Sequence, residues 1–569
     1  MEKYATVRVS HLTREHSYPY SGIVLVLTLS LALLLAACTV PAPGPTPTPT
    51  RTPHPTFTPT PVPTPTPAFP VTIGCDVTAP ADACVRLQGA AATDPGHFTW
   101  VADAEVASIH LGSGLYPTAS LTGTWTYVVA APFFTVEDDV TTADLQATWT
   151  GTPSGPFVAH PLLVTTDTQR ALLALWGAPL GTQVQTVADA DLLSTAEATG
   201  GWAILPFQSL DMHWKVLRID GLSPLEKGTS LEAYPLKLPL TLSSETRADA
   251  IPLLSLPAAF LTNRSEEAMT IVAMTGVTAM TRATAQLMDT KGITYPAQDI
   301  KLWFADADFV HISNEVSFRP DCVAEGSGTM SFCSHDSYIA LLEEINTNIV
   351  ELTGNHLADK GSEWITYSLD MFRERGWQWF GGGANVADAT KPLTVTQGPN
   401  KIAFLGCNPI GPSYDIATED SPGSAPCDYE RMMQQIQELR AQGYLPIVTL
   451  QYLETYEYVP TPNQLYDFRE FAKAGAVVVQ GSQAHQAQTL ELYGDTFIHY
   501  GLGNFFFDQM WSLGTRQEFV DRLVFYDGRL LSIDVRTALL EEYGRPRPMD
   551  PTERQEFLQM IFDVSPQGE

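Results

Sequence analysis

The residues able to do chemistry stand just past short apolar runs in the second half of the chain. Asn314 and Glu315 follow residues 308–312, and Asn355, His356 and Asp359 follow 349–352. Gln451 follows 445–450, Gln483 and His485 follow 477–480, and Asn504 follows 496–500. Each run reads as a strand, and in open α/β sheets ligands bind beyond the C-terminal strand ends. These side chains are therefore expected to converge on one cleft. Glu315 is the candidate general base there, with His356 and His485 the candidates to polarise a scissile bond. Asn314, Asn355, Asp359, Gln451, Gln483 and Asn504 are candidates for substrate binding or support. A single histidine is more often a hydrogen-bonded structural residue. The repeated placement at strand ends is what points to a site.

The elements that must position these groups can be read from periodicity. Trp364, Ile365, Ser368, Leu369, Met371 and Phe372 share one helical face. Helices are also expected over 429–440 and 463–474, strands over 270–274 and 402–405, and a hairpin of 523–526 with 530–535 across Asp527-Gly528. Upstream, strands are expected at 125–132, 202–206 and 214–219. Helices are expected at 141–149, capped by Thr141 with Asp144, and at 168–176, ended by Gly177. Alternating strands and helices make both parts α/β. The expected division is 71–242 for a first, smaller domain, 263–540 for the second, and a tail over 541–569 with a helical run at 551–562. The segments "TTADLQATWTG", "ALLALWGAP" and "GGWAILPFQSL" resemble part of a type II periplasmic solute-binding fold. That resemblance implies a ligand cleft in the first domain.

The beginning of the chain reads as an export signal. Lys3, Arg8 and Arg14 precede an apolar run over 23–37 that ends in Leu35-Ala36-Ala37, and Cys38 follows. The run is shorter than the roughly 20 residues of a spanning helix. The lipobox-like tripeptide makes Cys38 the candidate lipidated residue of a bacterial lipoprotein, with 1–38 as signal peptide. Residues 39–70 form a linker dominated by Pro and Thr. In polyproline II form it would reach on the order of 90 Å. The expected location is the outer face of the bacterial cell membrane, held there by lipid. Six further cysteines fall into local pairs, Cys75 with Cys84, Cys322 with Cys333 and Cys407 with Cys427. In an exported chain these read as disulfides. The formal net charge of -31 argues against nucleic acid as a partner.

The segments "ADFVHISNEVSF", "ELTGNHLADKG", "GGGANVADA", "KIAFLG" and "AKAGAVVVQGSQAHQAQTLELYGDTFIHYGLGNFFFDQ" resemble the CapA family of poly-γ-glutamate capsule biosynthesis proteins. The resemblance implies a layered α/β fold similar to calcineurin-like metallophosphatases. It also implies an extracellular polymer or the capsule machinery as partner. The chain departs from the family pattern where Val277, Gln451 and Gln483 replace a carboxylate and two imidazoles. Two-metal hydrolysis needs anionic or imidazole ligands around both ions. Glu315, His356 and His485 remain, a set for at most one divalent metal ion in a two-His-one-carboxylate arrangement. Three readings follow: a polymer-handling lipoprotein with a depleted metal site, a hydrolase using one metal or none, and a solute-binding sensor.

Overall fold

The long strand Ala119–Pro132 organises the first part of the molecule. The computed structural model describes residues 69–114, 119–324, 326 and 330–566, so the signal, Cys38 and residues 39–68 of the linker lie outside the described residues. On one half, Ala119–Pro132 pairs antiparallel with Lys237–Ser243, which leads to Ile109–Ser113, Val71–Cys75 and Phe98–Trp100. On the other it pairs with Trp202–Pro206 and Trp214–Ile219. Leu162–Val164 and Val184–Thr186 extend that half in parallel. Two small parallel lobes are thus joined by antiparallel strands. Helix Thr142–Trp149 starts as expected, with Thr141 accepting from the Asp144 N–H at 3.0 Å. Helix Thr166–Trp176 begins two residues earlier than its apolar pattern, because Thr165 is the residue whose hydroxyl caps it.

The second part is a four-layer sandwich. One sheet runs Gln378–Phe380, Ile349–Glu351, Phe309–Asn314, Met269–Thr275, Gln517–Tyr526, Arg529–Glu541, Arg545–Pro548. Its first four strands are parallel and the rest antiparallel. The other runs Leu393–Gln397, Asn400–Cys407, Leu445–Gln451, Val478–Ser482, Thr496–His499, Leu490–Tyr493. Val272, Met274, Phe519 and Leu523 of the first sheet share a core with Phe404, Ile447, Val478 and Phe497 of the second. Helices Arg282–Lys291, Ile339–Glu344 and Glu363–Glu374 cover one outer face. Tyr429–Ala441 and Pro462–Lys473 cover the other. This is the layered α/β arrangement expected from sequence. Helix Glu363–Glu374 buries the expected Ile365, Ser368, Leu369, Met371 and Phe372.

Two features exceed the expectation. The hairpin strands are far longer than the apolar runs that announced them, although the turn at Asp527 and Gly528 is as read, both with positive φ. Helix Pro551–Val564 is built into the inter-sheet core through Phe557, Leu558, Ile561 and Phe562. Residues 68–569 form one compact unit, in which Leu205 and Phe207 of the first part pack with Met269, Ile271, Val524 and Leu531 of the second. The three local disulfides are present, with Cα–Cα separations of 6.0, 6.0 and 5.1 Å. Among the described residues no helix is long and apolar enough to cross a membrane.

Candidate active site

Parallel strands from both sheets end on the same rim, and short backbone bridges draw the following loops together. Val277 pairs with Asn504 and Val316 with His356. Gly354 allows this approach, since a Cβ there would lie 2.7 Å from the Cα of Glu315. Gln483 adopts a φ of 74°, a left-handed conformation that costs a non-glycine residue about 1 kcal/mol. Such strain is held in place by the surrounding structure.

The centre of the rim is a carboxamide. Gln451 is 1% exposed, and its Nε2 donates to Glu315 Oε1 at 3.0 Å, to Asn355 Oδ1 at 3.1 Å and to Gln483 Oε1. Its Oε1 accepts from the Ser482 hydroxyl at 2.6 Å. Ser482 reaches back to Glu351, which bonds His311 Nε2 at 3.0 Å and the Thr353 hydroxyl. Burial disfavours the Glu351 charge, yet the His311 hydrogen bond and charge, with Thr353 and Thr449, hold its carboxyl below the usual range. A continuous buried polar chain therefore runs from between the sheets to the rim.

The two imidazoles flank this centre separately. His356 Nδ1 donates to Asp359 Oδ2 at 2.8 Å, and Asp359 also accepts from the Phe332 N–H at 2.8 Å and the Tyr414 hydroxyl at 3.2 Å. Burial pulls the His356 pKa down, but the Asp359 hydrogen bond and the charges of Glu315, Asp359 and Asp415 outweigh it, so the net shift is upward. His485 Nδ1 donates to Asn504 Oδ1 at 2.8 Å, and Asn504 Nδ2 donates back to the His485 carbonyl at 3.0 Å. Holding Nδ1 protonated leaves Nε2 as the basic nitrogen of each neutral ring.

Sequence reasoning missed Asp415, the Arg282–Asp508 pair, and the rings of Phe332 and Phe507 here. Asp415 is fully buried and accepts from the Ala358 N–H. Burial, with the charges of Asp359 and Glu315, pushes its carboxyl up to about 7 against the opposing Ala358 hydrogen bond and His356 charge. Arg282, buried and bonded through Nε to Asp508 at 3.1 Å, lies 4.8 and 4.9 Å from the ring centroids of Phe332 and Phe507. Phe332 packs tilted by 54° against His356 at 4.5 Å, and Phe507 stacks on His485 at 5.2 Å.

The structure thus unites Glu315, Asn355, Gln451 and Gln483 by direct hydrogen bonds. It gives Asp359 and Asn504 the role of holding the two imidazoles. Asn314 stands apart, donating to the Val316 carbonyl at 2.7 Å, with its Oδ1 buried and without a partner among the described residues. Of the expected allowance of at most one divalent ion on Glu315, His356 and His485, this geometry favours none. An amide N–H2 occupies the face of Glu315 toward the rim, where a cation would need an acceptor. Phe332 lies beside His356 and Phe507 beside His485, with the two phenyl centroids 6.4 Å apart. Among the described residues no three His, Cys, Asp or Glu side chains form a group that could hold a metal ion. What the arrangement offers is proton chemistry: a carboxyl that keeps its proton toward neutral pH beside an imidazole that gains one readily.

Residues 271–509 match the family model described as bacterial capsule synthesis protein PGA_cap. The chain is 23% identical over 297 residues to the capsule biosynthesis protein CapA of Bacillus anthracis, covering 50% of this chain and 71% of that protein. It is 25% identical over 236 residues to the PGA biosynthesis protein CapA of Bacillus subtilis, covering 41% of this chain and 62% of that one. Among solved structures it is similar to a phosphatase from Mycoplasma pneumoniae, with 9% identity, a TM-score of 0.32, and coverage of 49% of this chain and 95% of that one. An ABC-type phosphate transport receptor from Vibrio cholerae gives 14% identity, a TM-score of 0.28, and coverage of 33% and 95%.

Proposed function

We propose, from the premise that residues 271–509 are a domain of the CapA capsule-synthesis family, that this chain takes part in making, anchoring or processing a poly-γ-glutamate-type capsule polymer. The observation that carries the reading is the family match over 271–509. The proposed place of action is the outer face of the cell membrane, with lipidated Cys38 as anchor and the Pro/Thr-rich linker as standoff. Three disulfides support an oxidising compartment.

In this reading the rim around Gln451 acts without a metal pair. Asp415 is the proton donor and His356, held by Asp359, the partner that accepts or returns a proton. Glu315 is fixed by Gln451 as the acceptor for a backbone amide or hydroxyl of the bound polymer. The test is retention of long-chain poly-γ-glutamate by the full-length chain, with a neutral polysaccharide as control, beside release of glutamyl fragments over time. Selective retention supports the reading. Equal retention of both polymers, or of neither, counts against it.

A further inference from the structure

The rim opens onto a succession of rings that the proton chemistry above does not use. Trp511 lies 5.5 Å from Tyr456, Tyr456 stacks on His485 at 6.4 Å with the planes 21° apart, and His485 stacks in turn on Phe507. His485 and Phe507 are buried, whereas Tyr456 is 40% exposed and Trp511 63%. Leu453 and Leu513, on the same two loops, are exposed as well. Beside the other imidazole stands exposed Tyr414, whose hydroxyl donates to Asp359. An indole and a phenol turned to water next to a candidate active site mark a surface that a ligand covers.

Polar groups at this platform narrow the chemistry. The Tyr456 hydroxyl donates to Glu454 and takes a hydrogen bond from Gln509. Gln509 is 6% exposed, and its Oε1 has no partner among the described residues. A buried amide oxygen left unpaired is costly, and it marks where a donor is wanted. The charges here are acidic, with Glu454 beside Tyr456 and Glu315 and Asp359 at the rim. The guanidinium of Arg282 is already held by Asp508 through two nitrogens. An anionic ligand is therefore disfavoured, and one with apolar faces and hydroxyl or amide N–H donors at its edge is favoured.

We infer that Trp511 and Tyr456 are a binding subsite for an uncharged saccharide, a short run of N-acetylhexosamine units whose outer ring lies on the indole and whose chain leads toward His485. In a pyranose with equatorial substituents, C–H bonds cover both faces and the hydroxyls lie around the edge. Those slightly positive C–H bonds pack on the negative face of an aromatic ring. An acetamido N–H or a hydroxyl at the edge supplies the donor for Gln509 Oε1, and Glu454 accepts from a second hydroxyl. An extended peptide, with side chains alternating across its backbone, has no such continuous face. The inference stands beside the polymer reading and does not rest on it.

The experiment is calorimetric titration of the full-length chain with chitohexaose, tri-γ-glutamate and an uncharged tri-glutamine. Trp511→Ala removes the outer ring, and the exposure of that ring leaves the core undisturbed. Trp511→Phe keeps an aromatic face, and Tyr466→Ala removes a similarly exposed ring on helix Pro462–Lys473. Saturable binding of chitohexaose is expected, weakened about tenfold by Trp511→Ala, largely kept by Trp511→Phe, and unchanged by Tyr466→Ala and by added salt. No binding of chitohexaose, or binding that Trp511→Ala leaves unchanged, overturns the inference. Tri-γ-glutamate or tri-glutamine bound as tightly, with the same dependence on Trp511, also overturns it and assigns the rings to a polyamide. Loss of chitohexaose binding in a Trp511→Ala chain that still retains long poly-γ-glutamate supports the inference and leaves the proposed function standing. Chitohexaose bound through Trp511 by a chain that retains no poly-γ-glutamate supports the subsite and counts against that function.

Discussion

Asp415→Asn is expected to flatten the fall of stability with rising pH. Asp415 is fully buried, beside Asp359, Glu315 and His356, and burial is the main reason its carboxyl titrates at about 7 rather than 3.8. Between those two values the folded chain keeps a proton that the unfolded chain has lost, so stability falls as the pH rises through that window. The difference is about three units, which at about 1.4 kcal/mol per unit gives a loss of about 4 kcal/mol by the time the pH passes 7. The loss is absent below the unfolded value of 3.8. His356 runs the same way: its raised pKa contributes stability that is full below 6.5 and is lost above its folded value. Asparagine keeps an oxygen for the Ala358 N–H but leaves its amide nitrogen where Asp415 Oδ2 has no partner. That costs about 1–3 kcal/mol at every pH, so the slope carries the test and the absolute stability does not. Urea unfolding of both chains at half-unit steps from pH 4.5 to 8.5 measures it. A difference that narrows or reverses by a few kcal/mol across the range supports the argument. Parallel curves would show that Asp415 is ionised throughout and refute the reasoning.

Gln451→Ala removes the donor shared by Glu315, Asn355 and Gln483 and the acceptor for Ser482. A loss of about 2–4 kcal/mol in denaturant unfolding is expected, with a change of under 1 kcal/mol contradicting the central role of the amide. Glu518 is fully buried, neither of its carboxylate oxygens has a partner among the described residues, and burial raises its pKa well above the usual range. Glu518→Leu should therefore leave stability at pH 8 unchanged or higher, whereas a loss of more than about 2 kcal/mol would reveal a partner for the carboxyl. Replacing both Cys407 and Cys427 by Ser opens the link of sequence separation 20 that spans Asp415. A loss of about 3 kcal/mol is expected, together with faster proteolysis within 408–426, and unchanged proteolysis would mean the loop is held by other contacts.

The sequence made the strand ends legible because parallel strands buried on both faces are nearly continuous apolar runs, so their first polar residue stands out. That is how Glu315, Asn355, His356, Gln451, Gln483 and His485 were placed on one rim. Asp415 gave no such sign. It sits in an irregular segment held by the Cys407–Cys427 link, and only the fold brings it against Ala358. Glu351 was hidden for the opposite reason, as a charged residue inside a strand whose partner His311 lies on the neighbouring strand. Arg282 could not be tied to Asp508 across more than two hundred residues of sequence. The hairpin strands were underestimated because Glu518, Asp521, Arg522 and Arg536 interrupt their apolar pattern, and those charges are accommodated by packing that only the fold provides. The sequence left room for at most one metal ion on Glu315, His356 and His485, and could not tell how those side chains would be engaged. Residue types suited to a cation are present, but the Gln451 amide donates to Glu315, and each imidazole has a phenyl ring beside it.

Metal content decides the account most directly. Elemental analysis of the full-length chain, purified without chelator and then equilibrated with manganese and zinc, should find well under one transition-metal ion per chain. Glu315→Gln should give the same value. One or two tightly held ions per chain, lost in Glu315→Gln, would contradict an amide-centred site and restore a metal centre at this rim.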